Sequence, residues 1–349
     1  MSLARRTLFQ AAGLGALAAA LPSTAAMATG TTAADTTAAA AGPARFDLAA
    51  PGRPLFRTQR LHNKTVLQSF AFDNVNRHVY TVQLMAGGQQ LADEAAPISG
   101  ANRDLAGDLC LTQLDLDGTE LGYMFLKGFG HGVQIGAEPV GSSAFLWTET
   151  DAISDDGLHG WGSRLARFRF ADGAILTPDS PEVRRIAPIP GADRTTCGID
   201  PVLNRLVMRH RIAGTFRYAL YDLDEVRRNK FTPIFEVDQP ALTYSFQGYA
   251  TSGGYLYLLE GTSYGSSGST APVGNTYLTC VEWASGTVVA RQLVSDGTDL
   301  AFREPEGMAI QVPDLSDPAG IRLAFGFAST TSPTDTAKLA SVYYKDVLI

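Results

Sequence analysis

Cysteine is scarce in this chain. Cys110, Cys197 and Cys280 are the only three in 349 residues, and no C-x-x-C pair occurs. That excludes a disulfide framework and leaves room for one bridge at most; the expected role is that of small buried strand residues. Long helical runs of Leu, Ala, Glu and Lys are missing after residue 45. Beyond the N-terminal segment no apolar run approaches the ~20 residues needed to cross a bilayer. Positive charge is in the minority, with 28 Lys and Arg against 35 Asp and Glu and a formal charge of −7. An acidic chain is a poor electrostatic partner for nucleic acid, so none is expected. What the chain does have is glycine (35), tyrosine (12) and phenylalanine (17), with 45% hydrophobic residues. This is the composition of an all-β protein.

Residues 1–28 read as an export leader. Arg5 and Arg6 precede Thr7-Leu8-Phe9, an uncharged apolar run spans Ala11 to Leu21, and Ala26-Met27-Ala28 fits a small-x-small cleavage site. A twin arginine before a mild Ala/Gly-rich core is similar to a Tat signal. The expectation is a secreted, extracellular product, released because no lipobox cysteine is present, with no membrane association after cleavage. Residues 29–43 form a Thr/Ala spacer of low complexity, expected to be disordered. Residues 44–349 remain for the folded domain.

That remainder contains a repeat. Five segments share a start in which a polar residue or Cys is followed by Gly (Ser once) and an apolar residue: "QSFAF" at 68, "HGVQI" at 131, "CGIDP" at 197, "QGYAT" at 247 and "EGMAI" at 306. After each start come a turn and a second apolar run, and in most units a third and fourth strand follow. Repetition at a fixed scale is the mark of a repeat architecture, and the alternation within the runs is that of strands. The fifth unit ends after its third strand, "LASVYYKDVLI", while a spare strand lies near Arg53–His62. The fold predicted is a five-bladed β-propeller in which the N-terminal strand closes the last blade and removes the exposed edges. A glycine on each innermost strand allows close backbone approach around the axis. Gln68, His131, Cys197, Gln247 and Glu306 are then expected to ring one mouth of the channel. An acidic surface with closed edges is compatible with a monomer, which is the state expected.

The stretches "GHGVQIG", "LWTE" and "FQGY" resemble those of the five-bladed propellers shared by teichoic acid biosynthesis protein C and a staphylococcal podophage receptor-binding protein. The resemblance spans Phe56 to Ile349. Its motifs are repeat motifs, so it implies fold more strongly than chemistry. It implies contact with a polysaccharide or cell-wall glycopolymer, and it carries no catalytic residues across.

The candidate ligand-binding set is Gln68, His131, Gln134, Arg194, Gln247, Tyr249, Glu304 and Glu306. His131, between Gly130 and Gly132, has the chemistry to take a proton or bind sugar hydroxyls. No second histidine stands at metal-ligand spacing from it, so neither metal nor cofactor is expected. Arg209 and Arg211 share a strand face and form a candidate anion clamp, although Arg194, just before the third blade start, is better placed. Asp115 and Asp117 make half of a calcium loop, for which a hairpin turn is the plainer reading. In the loop Ser154–Gly162, Trp161 offers a face for a sugar ring, as does Trp147, for which core packing is the default. The loop Gly261–Asn275 is a candidate rim. The leading reading is a glycan-binding module. The alternative is a carbohydrate-active enzyme in the same pocket: a glycoside hydrolase would need two carboxylates across the bond, and a polysaccharide lyase a base and a neutraliser such as His131, Tyr249 and Arg194. A protein-interaction platform is the third. Catalytic residues are not assigned.

Overall fold

The computed structural model describes residues 44–349; the expected leader and spacer lie outside the described residues. Those residues form a ring of five antiparallel sheets. Blade 1 begins with Leu67–Asp73, blade 2 with Gly136–Val140, blade 3 with Asp193–Asp200, blade 4 with Phe246–Ser252 and blade 5 with Ala301–Gln311. Each is followed outward by three further strands. In blade 5 the outermost strand is Arg53–Gln59, antiparallel to Leu339–Lys345. The closure is doubled by backbone bonds between Arg45 and Ile349 at 2.8 and 2.9 Å.

Five hydrophobic clusters hold the ring, one between each pair of neighbouring blades. Met208 and Trp147 pack between blades 2 and 3, and Leu258 and Tyr218 between blades 3 and 4. Phe325 and Tyr257 pack between blades 4 and 5, Phe70 and Val342 between blades 5 and 1, and Val82 and Leu146 between blades 1 and 2. Inner strands are therefore buried on both faces. All seven residues of Leu67–Asp73 are buried, whereas the outer strand Val288–Leu293 has none. This is why the inner runs show weak alternation and the outer ones carry charge.

The predicted axial crowding is present. A Cβ on Gly248 would lie 2.8 Å from the Gly307 Cα, and one on Gly307 would lie 2.6 Å from the Ser69 Cα. Ser69 in turn donates from Oγ to the Gly132 carbonyl at 2.6 Å. Blade starts therefore touch in succession around the axis.

Residues 174–188, where the repeat calls for the fourth strand of blade 2, are split. Ile175–Leu176 leaves its blade and pairs in parallel with Glu120–Leu126 of blade 1, and only Arg184–Ile186 returns to blade 2. Pro178 and Pro181 lie between the two pieces and cannot donate to a ladder. A short helix, Gly100–Ala106, interrupts blade 1, capped by Ser99 at its start and by Gly107 in the left-handed conformation at its end. Asp115 accepts from the Asp117 and Thr119 amides, so the half calcium loop is a hairpin turn. All three cysteines are free and buried, in three different clusters, and the one possible bridge does not form.

Candidate functional site

The Gly-His-Gly corner departs from the ladder. The innermost strand of blade 2 starts only at Gly136, so His131 to Ile135 run free of it. Gly130 has φ 152° and Gly132 φ 80°, both in the region L side chains rarely adopt. A Cβ on Gly130 would collide with the Glu149 carboxylate, and one on Gly132 would come within 2.6 Å of Val82 Cγ1. Glu149 is fully buried and accepts from the Gly132 amide at 2.7 Å and the Gly162 amide at 2.6 Å. One buried carboxylate thus ties the His131 corner to the strand that carries Trp161. Burial pushes the Glu149 carboxyl above its ordinary value, against the pull of those two amides.

His131, Gln68, Gln247 and Glu306 open into one cavity of about 580 Å³ at one end of the axis, with Glu304 beside them. Four of the five expected ring residues are therefore together. Cys197 is not. It lies mid-ladder opposite Met208 and is packed into the core between blades 2 and 3. The cavity is a cup rather than a tunnel, because Gln134 crosses the axis beneath it. Gln134 Nε2 donates to the Met308 carbonyl at 2.9 Å, and its Oε1 accepts from the Tyr249 amide at 3.3 Å. Beyond it the axis holds a gap of about 20 Å³, room for little more than a water molecule.

Two candidate ligand residues belong to this plug and not to the cup. Gln134 is 2% exposed and spends its amide on neighbouring blades. Tyr249 is 0% exposed; its hydroxyl bonds Thr196 Oγ1 at 3.1 Å and accepts from the Arg209 amide at 3.2 Å. The lyase set of His131, Tyr249 and Arg194 is therefore not assembled in one cavity. Arg194 binds Asp155 at 2.6 Å and lies 4.4 Å from the Trp161 ring centroid, outside the cup lining. The arginine clamp is likewise spent: Arg211 is bidentate to Asp193, and Arg209 is buried over Phe216 and Phe246. Trp147 is fully buried and donates to Glu138. Trp161 is already covered, with the His131 ring stacked on it at 4.4 Å.

Within the cup, Gln68, Glu304 and Glu306 have no side-chain hydrogen bond or ion pair among the described residues, and Gln247 makes one, to the Gly261 carbonyl at 3.1 Å. Burial, and then the charge of Glu304, hold the Glu306 carboxyl well above its ordinary value. Burial also raises Glu304, with Lys338 opposing. Lys338 itself is lowered by burial.

The candidate set drawn from the sequence left out Asp104, His159 and the tie at Glu149. His159 comes from the loop after Ile153, and its ring lies 5.3 Å from that of His131. Asp104, on the helix Gly100–Ala106, stands between them, its Oδ2 2.8 Å from His159 Nδ1 and its Oδ1 3.4 Å from His131 Nδ1. Burial would raise the Asp104 carboxyl, but the two histidines outweigh it and hold it below its ordinary value. Linear spacing pairs neither histidine with a metal motif; the fold nevertheless brings one carboxylate and two imidazoles together from three segments.

A closed ring of five blades, four of them four-stranded and blade 1 extended by the pairing of Ile175–Leu176, with an axial cup, defines a five-bladed β-propeller. Residues 66–315 match the family described as the phage 5-bladed beta propeller receptor binding platform domain, and the chain belongs to that family. It is 28% identical over 275 residues to the putative major teichoic acid biosynthesis protein C of Bacillus subtilis (strain 168), covering 76% of this chain and 57% of that one. Among solved structures it is similar to the tail fiber of Staphylococcus aureus phage P68, with a TM-score of 0.61 and 17% identity over 87% of this chain and 53% of that chain. The chain thus spans little more than half the length of either relative.

Proposed function

We propose that the protein is exported and binds a cell-envelope glycopolymer, of teichoic-acid type or another polysaccharide, in the axial cup. One observation carries this: about 580 Å³ of cavity lined by amides, carboxylates and imidazoles, three of which, Gln68, Glu304 and Glu306, have no side-chain partner among the described residues. Sugar hydroxyls both donate and accept, and such a lining offers both to them. The family match and the name of the Bacillus relative point the same way.

The test is co-sedimentation of the chain with purified cell walls, before and after removal of their glycopolymers, with newly formed chain ends assayed in the same tubes. The proposal expects retention that is lost with the polymer, weakens about tenfold or more in Gln247→Ala, and produces no new ends. Retention that survives polymer removal would refute it. A second reading, cleavage, is favoured by one feature: Glu306, raised by burial, and Glu304 form a carboxyl pair in the same cup. New ends that disappear in Glu306→Gln would establish that reading in its place.

A further inference from the structure

We propose that Asp104, His131 and His159 form a binding site for a single divalent transition metal of zinc type at the edge of the cup. One ligand atom from each lies within 4.8 Å of the other two. Asp104 Oδ1 and His131 Nδ1 are buried, face each other at 3.4 Å, and lack hydrogen-bond partners. Buried polar atoms without partners are uncommon and call for an explanation. Zinc bonds nitrogen and carboxylate oxygen at ~2.0–2.2 Å in tetrahedral geometry, which sets ligand atoms ~3.3 Å apart. The Asp104–His131 pair already has that spacing. The 2.8 Å contact of Asp104 with His159 is made through the other carboxylate oxygen, Oδ2, so an ion held by one atom from each residue requires the carboxylate to turn and the two imidazoles to draw together from a spread of up to 4.8 Å.

The three segments are fixed to one another independently of any ion. Phe129 and Gly130 donate backbone amides to the Gly107 carbonyl at 2.8 and 3.0 Å, and Gly160 donates to the Asp104 carbonyl at 2.8 Å. The His131 ring lies on Trp161, and Glu149 holds its corner through Gly132. Outer contacts of this kind orient metal ligands. All three side chains line the cup, with 16, 21 and 39% of the His131, Asp104 and His159 side chains exposed. An ion therefore has an entry path and would keep an open position facing the cavity. Two imidazoles and one carboxylate suit zinc and its first-row neighbours, whereas calcium and magnesium prefer all-oxygen sets.

This inference does not rest on the glycan reading, and its test contains no glycan. The chain is incubated with Zn²⁺, dialysed against metal-free buffer, and its metal content measured; Co²⁺ loading is followed by visible absorption. Expected are about one Zn²⁺ per chain, an intense tetrahedral Co²⁺ spectrum, and no retention of Ca²⁺ or Mg²⁺. His159→Ala, the most exposed of the three, and Asp104→Asn should each weaken Zn²⁺ binding at least tenfold, with unchanged circular dichroism. Substoichiometric Zn²⁺ in the parent chain, or retention unaffected by His159→Ala, would overturn the site and leave a hydrogen-bonded Asp-His pair.

Discussion

Two layers along one axis, built from neighbouring residues of the blade starts, have opposite characters. In the plug, Gln134, Tyr249 and Thr196 are buried and their polar atoms are spent on neighbouring blades. In the cup, Gln68, Glu304 and Glu306 lie against space with no side-chain partner among the described residues. The difference teaches that polarity on an inner strand does not itself mark a ligand site. What marks it is polarity that the fold leaves facing open space, where a ligand can take over bonds otherwise made to water.

The comparison presupposes a closed ring, and the severest way to break it is to open that ring. Removing residues 44–59 deletes the outer strand of blade 5 and uncovers clusters that contain Phe46, Leu48 and Phe56. The loss is expected to rival the whole ~5–15 kcal/mol that holds a domain, so the truncated chain should show no cooperative thermal transition. Next in size is Glu149→Ala, which strips the Gly132 and Gly162 amides of their acceptor inside the core. Two buried donors left unpaired cost roughly 2–6 kcal/mol, measurable by denaturant unfolding, and the His131 corner should lose its order.

Gln134→Ala tests the plug directly. It should cost about 1–3 kcal/mol while leaving cell-wall retention within twofold of the parent. Glu306→Gln tests the cup through pH. The folded-state carboxyl of Glu306 is raised, so above its ordinary value the native state keeps a proton that the unfolded chain has released. That contribution is fully present below the unfolded pKa and is lost as pH rises through the folded one. The variant should therefore melt on the order of 2–4 °C above the parent near pH 8, with the gap closing toward about pH 4. Gln68→Ala, at a buried side chain that makes no hydrogen bond, should have the smallest effect on stability, about 1 kcal/mol or less, while lowering retention. If Gln134→Ala abolished retention and Gln68→Ala did not, cup and plug would have to exchange roles.

Most of the fold was legible in the residues. The five polar-Gly-apolar starts, the missing last strand and the spare run near Arg53 together specify blade number and closure. The split of residues 174–188 was not legible, because hairpin chemistry at Asp172-Gly173 predicts a return to the same blade, and only the neighbouring edge at Tyr123 draws the chain away: Gly173 donates to the Tyr123 carbonyl at 2.7 Å. The site was half legible. Gln68, His131, Gln247 and Glu306 were found because the repeat aligned them, and Glu304 as the carboxylate two residues before the last of them. Gln134, Tyr249 and Cys197 share that local pattern, and depth along the axis, which separates them from the cup, leaves no mark in sequence. Asp104 and His159 come from insertions outside the repeat. Glu149 had a signal, a lone carboxylate closing the apolar run "AFLWTE", which calls for a buried donor nearby.

The central claim is that unsatisfied groups of the axial cup receive a glycan. A crystal structure of the chain soaked with a short fragment of cell-wall glycopolymer tests it most directly. The account predicts sugar density within hydrogen-bonding distance of Gln68, Gln247 and Glu306, above an undisturbed Gln134. Sugar bound elsewhere on the molecule, with the cup holding water alone, would contradict it.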